Sequence, residues 1–161
     1  MKRKMKKKKP KKIFDPSDIK AAEKSAEYLI RYRMRSEKEL LWKLKEKGFS
    51  DEIILELIEK LKKYKLINDK IFAYHFAYDK LTLSKKGPLI IQMELRKLGV
   101  DEYLIQDTLI QLKNEINIYE IAFELGKKYY EKNNDLIKTK NFLYKKGFEQ
   151  STINYVIADI Q

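Results

Sequence analysis

The sequence predicts an all-α protein of three tandem three-helix repeats in an elongated array, and three observations carry that expectation. Gly48, Gly99 and Gly147 recur at intervals of 51 and 48 residues, each followed by one apolar residue, Phe49, Val100 or Phe148. Periods of this length belong to helical repeat arrays. Beyond each glycine the inward positions fall at i, i+1, i+4, i+5 and i+8, one face of a helix. They are Ile53, Ile54, Leu57, Ile58 and Leu61, then Leu104, Ile105, Thr108, Leu109 and Leu112, then Thr152, Ile153, Val156, Ile157 and Ile160. Four residues before each glycine stands Leu44, Leu95 or Leu143. An earlier helix in each repeat carries small residues four apart, Ala22 and Ala26, Ala73 and Ala77, Ala122 and Gly126, a spacing that lets helix axes approach closely. Strand-like alternation is absent over any useful length, and the glycine turns interrupt every heptad run, which excludes one long coiled coil.

Each repeat therefore reads as helix A, helix B, glycine turn, helix C. Residues 18–66 form the first repeat, with helices over 18–34, 37–47 and 51–64. The second, 67–115, has helices over 69–83, 88–98 and 102–114. The third, 116–161, has them over 117–132, 135–146 and 150–160. The ends are set by local chemistry. Gly48, Gly99 and Gly147 take the position after a helix C-terminus, where a left-handed backbone is costly for other residues. Ser36 followed by Glu39 is a capping-box signature. Ser50 and Asp101 cap the C helices, and Asn68 or Asp69 starts the second repeat. Pro88 suits a first helical turn, with Gly87 in the turn before it.

The net charge of +12 is unevenly distributed. Nine basic and no acidic residues lie within 2–12, leaving 27 basic against 24 acidic residues elsewhere. Residues 1–17 read as a disordered, self-repelling basic arm, an electrostatic tether to nucleic acid or to an acidic protein surface. The mean hydropathy of −0.60 indicates a soluble surface. No stretch approaches the roughly 20 apolar residues of a membrane span, and Asp15-Pro16 follows Ile13-Phe14 too soon for a signal peptide. Without cysteine there is no disulfide or thiolate chemistry, and a cytoplasmic location is expected.

Catalytic constellations are missing. The single histidine, His75, sits in an apolar helical stretch and reads as a core-edge residue. It lacks the companions a metal site needs, and no phosphate-cradling glycine loop occurs. Carboxylates such as Glu37, Glu39, Asp51 and Glu52 read as a solvated face paired with lysines. The tyrosines Tyr28, Tyr129 and Tyr155 lie on or beside apolar stripes and are expected to pack in the core. No catalytic residue, metal or cofactor is expected.

Binding is the remaining class of function. Arg31, Arg33, Arg35 and Lys38 cluster where helix A passes into helix B, and arginine offers planar multidentate contacts. Lys43 follows on helix B, Lys85 and Lys86 precede Pro88, and Arg96 and Lys97 end the second helix B. These nine residues are the candidate partner-binding set.

The stretch from Tyr28 through the basic turn, Ser36-Glu37, Glu39-Leu40, Leu44 and Lys47-Gly48 resembles the opening repeat of the RecX family of RecA recombinase regulators. Leu66, Asn68, Asp69, Phe72 and Ala73 are similar to its next element. Gly87-Pro88, Ile91, Glu94-Leu95, Gly99 and Val100 are similar to the one after. Phe142, Leu143, Gly147 and Phe148 echo its last repeat. Leu89 and Ile90 stand where the family often has arginines. The repeat pattern itself predicts a monomer, and the resemblance implies an elongated, slightly curved array that binds RecA filaments on DNA. It implies inhibition of their ATPase, strand-exchange and coprotease activities, without chemistry of its own. DNA phosphates would be a second contact, through the arm. The alternative is a protein that binds DNA or RNA directly through helix-turn-helix-like repeats and the arm.

Overall fold

The computed structural model describes residues 15–161, and the first fourteen residues of the expected basic arm lie outside them. The described residues form nine helices and no strand. They are α1 (Ile19–Tyr32), α2 (Glu37–Glu46), α3 (Asp51–Lys63), α4 (Asp69–Thr82), α5 (Pro88–Lys97), α6 (Glu102–Glu115), α7 (Ile118–Asn133), α8 (Leu136–Lys145) and α9 (Gln150–Ile160).

Their ends follow from side-chain capping. Asp18, Ser36, Ser50, Asn68, Asp101, Asn117 and Asp135 each accept a backbone N–H from the first turn they precede, which satisfies donors that have no partner within the helix. Pro88 opens α5, where its missing N–H costs nothing. At the other ends Gly48, Gly99 and Gly147 have φ of 97°, 76° and 86°. The N–H of the residue after each returns to the carbonyl of Leu44, Leu95 or Leu143.

Three cores result. The first gathers Ala22, Ala26, Leu40, Leu44, Ile54, Leu57 and Ile58. Phe72, Ala73, Ala77, Ile91, Leu95 and Ile105 anchor the second. Ala122, Leu143, Phe148, Ile153 and Val156 make the third. The small residues on α1, α4 and α7 are buried, as their spacing predicts. Thr139 takes the core position that Leu40 and Ile91 fill in the other repeats. Its hydroxyl is satisfied by donating to the Asp135 carbonyl at 2.8 Å.

The repeats join by docking the start of one helix B onto the glycine turn of the next repeat. Between repeats one and two, the Ser36 hydroxyl donates to the Leu98 carbonyl. A Cβ on Gly99 would meet the stem of Lys38. The Glu37 N–H donates to the Asp69 carboxylate at 2.7 Å. Between repeats two and three the bonds at the glycine turn are main chain to main chain, and beside them Lys113 of α6 pairs with Glu149 at 2.7 Å. Gly87 N–H donates to the Lys146 carbonyl at 2.7 Å, and Leu89 N–H to the Gly147 carbonyl at 3.0 Å. A side chain on Gly87 would collide with the Gly147 backbone. Ile118 and Ile121 pack against both adjoining cores. Helices α8, α5 and α2 thus meet C-terminus to N-terminus. The negative end of each dipole faces the positive end of the next.

Three expectations need correction. Glu39 is not on a solvated face; it is 5% exposed and pairs with two arginines. Tyr28 and Tyr155 are both 69% exposed. Each lies two residues from a buried one, Ala26 or Ile153, and so about 200° around the helix from it. Tyr129 does pack, stacked on Phe142 at 4.3 Å between centroids. His75 is exposed on α4, its ring edge against Tyr74.

Candidate partner-binding surface

The basic turn between α1 and α2 is an internal network as much as a surface. The chain leaves α1 extended at Arg33, which sends Arg33 and Arg35 toward Glu39 on the first turn of α2. Arg33 makes a forked contact with both carboxylate oxygens, and Arg35 Nη1 donates to Oε1 at 2.5 Å. Arg35 Nε also donates to the Leu29 carbonyl at 3.0 Å, closing a helix-end acceptor of α1. Within the capping box, Ser36 accepts the Glu39 N–H, while the Glu39 side chain turns to the arginines. Arg35 is buried with Glu39, Arg33 is half-exposed, and Arg31 stands free of the network with a 3.5 Å pair to Glu27.

The remaining candidates spread along the helix-B column. Lys38 is exposed beyond the stem that rests on Gly99. Lys43 pairs with Glu46 at 2.8 Å. Lys85 holds a left-handed backbone, φ 52°, in the loop before α5. Lys86 shares Glu94 with Lys80, at 2.5 and 3.1 Å. Burial would raise the Glu94 pKa, but hydrogen bonds from the two lysines outweigh it and hold the carboxylate below its ordinary value. Arg96 forks onto Glu102 at 2.6 and 2.7 Å. With Gln106 and Gln92 also donating, this brings Glu102 down to about 2. Lys97 makes no ion pair among the described residues, and it lines a cleft together with the apolar Met34, Phe76 and Leu98.

The structure therefore does not gather the nine candidates into one patch. Arg33 and Arg35 serve one carboxylate, whereas Arg31, Lys38, Lys43, Lys85 and Lys97 present accessible charge. Sequence reading missed Glu39 as the centre of the turn; the i, i+4 spacing from Arg35 was the available signal. It also missed the exposed apolar residues of the outward helix-B faces. Trp42 is 44% and Met93 46% exposed, each six residues before its glycine. Among the described residues no group of three or more His, Asp or Glu side chains could hold a metal ion. None of their helices is long and apolar enough to cross a membrane.

Two family models match this architecture repeat by repeat, the first three-helix domain of RecX over residues 22–61 and the second over 68–109. A Thermotoga maritima protein named Regulatory protein RecX is 34% identical over 132 residues, which cover 82% of this chain and 80% of that protein. The chain belongs to the RecX family. A Geobacillus thermodenitrificans member of the same name is 34% identical across 88% of this chain but 54% of its own length, so the chain spans about half of that longer relative. The crystal structure of RecX from Lactobacillus salivarius superimposes with a TM-score of 0.80 at 30% identity, covering 89% of this chain and 96% of that one. The two matched family domains end before α7, and the structural match carries the likeness into the third repeat.

Proposed function

We propose that the chain binds RecA filaments on DNA and inhibits their ATPase, strand-exchange and coprotease activities, acting as a binding protein without a reaction of its own. The observation that supports this reading is the likeness, over four-fifths of both chains, to a protein named Regulatory protein RecX. A repeat array suits such a partner because an extended surface can span several subunits of a filament. Arg31, Lys38, Lys43, Lys85 and Lys97 make the contact, meeting filament carboxylates or DNA phosphates through charge-assisted bonds. Arg33, Lys86 and Arg96 contribute at the edge, and Arg35 acts by holding the turn. The basic arm adds association rate at low salt.

The test measures RecA binding and DNA-dependent ATPase with the full chain. Saturable inhibition is expected, weakened at least tenfold when Arg31, Lys38, Lys43, Lys85 and Lys97 are changed to alanine with helicity intact. Equal affinity for naked DNA and filament would instead support the direct nucleic-acid reading. Unchanged ATPase and strand exchange at saturation would remove the regulator assignment.

A further inference from the structure

A cleft of about 670 Å³ opens where the first two repeats meet, within the roughly 300–1,000 Å³ of typical ligand pockets. Its floor is apolar. Met34 comes from the link between α1 and α2, Phe72 and Phe76 from α4, and Leu98 from the end of α5. Arg33, His75, Asp79, Lys80, Glu94 and Lys97 stand around it.

The charge around this floor does not cancel. Glu39 takes both Arg33 and Arg35, and Glu94 takes both Lys80 and Lys86. Each carboxylate leaves one positive charge over. Lys97 adds a third, and the Asp79 side chain, which has no ion-pair partner among the described residues, offsets one. The result is an apolar floor under a surplus of positive charge. A strand of phosphates would leave the apolar floor unused, whereas a peptide can set an apolar side chain on it while its carboxylates meet the surrounding cations. Met34, an unbranched thioether 46% exposed, gives the floor an adaptable surface for a side chain.

We propose that this cleft is a docking site for a short acidic peptide segment of a protein partner. One bulky apolar side chain enters between Met34 and Phe76, and flanking carboxylates meet Lys97 and Arg33. Because Met34 and Arg33 belong to repeat one and the other walls to repeat two, the docked segment would bridge the joint. The inference goes beyond filament regulation and does not require that the partner be RecA.

The experiment titrates the isotopically labelled full chain with a dodecapeptide of aspartate and glutamate carrying a central phenylalanine–leucine pair. Saturable amide shifts are expected at Met34, His75, Phe76, Lys97 and Leu98. Lys97→Glu and Met34→Asp, both at exposed positions, should each weaken binding about tenfold while the spectrum stays that of the folded chain. A peptide with the acids replaced by glutamine, and an all-acidic peptide lacking the apolar pair, should each bind at least that much more weakly. The proposal is overturned by no saturable shift, by shifts centred elsewhere, by wild-type affinity in both variants, or by oligothymidylate shifting the same amides more strongly than the peptide.

Discussion

The joint between repeats one and two and the joint between repeats two and three bring together the same two elements with different bonds. At the first, side chains do the fastening: the Ser36 hydroxyl on the Leu98 carbonyl, the Asp69 carboxylate on the Glu37 N–H, the Lys38 stem over Gly99. At the second, main chain meets main chain at Gly87 and Gly147, and Ile118 and Ile121 belong to both adjoining cores. Gly147 is buried where Gly99 is half-buried and Gly48 exposed. A joint of main-chain bonds and shared apolar residues resists most side-chain substitutions. A joint of capping side chains is adjustable and sensitive to single changes. The cleft proposed as a docking site lies beside the adjustable joint.

The largest expected effect strikes that side. Glu39→Gln removes the charge that two arginines share, leaving the buried Arg35 uncompensated. A loss of about 3–5 kcal/mol is expected, measured by urea unfolding, with hydrogen exchange rising first in α1 and α2. A loss under about 1 kcal/mol would mean that solvent already screens the pair.

At the second joint, Gly87→Ala places a methyl group against the Gly147 backbone. A cost of about 1–3 kcal/mol is expected, from overpacking that the main chain cannot relieve by rotating a side chain. Amide exchange should rise on both sides, at Leu89 and Phe148. If Gly87→Ala is neutral, the close approach is not what holds the joint. The matching change at the first joint, Ser36→Ala, removes both a cap and the donor to Leu98. About 1–2 kcal/mol is expected, with exchange rising at Glu39 but not in repeat three.

The smallest effects concern pH, and they run in opposite directions. Burial raises Asp69 above its ordinary 3.8, while the Glu37 N–H opposes that rise. Its folded pKa therefore exceeds its unfolded one, and its contribution favours folding below 3.8 and is lost as pH rises through the folded pKa. Glu102 is depressed from 4.5 to about 2 by Arg96 first, so its contribution is present above 4.5 and lost as pH falls toward 2. Melting curves between about pH 2 and 6 should change slope in opposite senses for Asp69→Asn and Glu102→Gln. The same sense in both would contradict the assigned environments.

The fold was legible because its punctuation is local. Helix ends predicted from the glycine turns, Ser36, Ser50, Asn68, Asp101 and Pro88 lie within two residues of those observed. Burial of the helix-C stripes follows directly from their period. The candidate surface was less legible, for two reasons. Glu39 shares a charged run with exposed neighbours, and only the extended backbone at Arg33 turns both arginines inward. The joints connect residues some sixty apart, such as Ser36 with Leu98, and a contact of that range leaves no period in the sequence. Tyr28 and Tyr155 misled because they adjoin buried positions while facing away from the core.

The direction of docking has a consequence for synthesis. Ser36 reaches forward to Leu98, and Gly87 forward to Lys146, so repeats one and two each receive hydrogen bonds from chain that is translated later. As residues leave the ribosome N-terminus first, repeat one can gather its core while Ser36 still awaits its acceptor. Repeat two then closes it and waits in turn for the turn at Gly147. Assembly on the ribosome would then proceed as a relay, the first two units each finished by its successor, and a nascent chain stalled between residues 67 and 98 would expose the start of α2 to whatever chaperone is at hand.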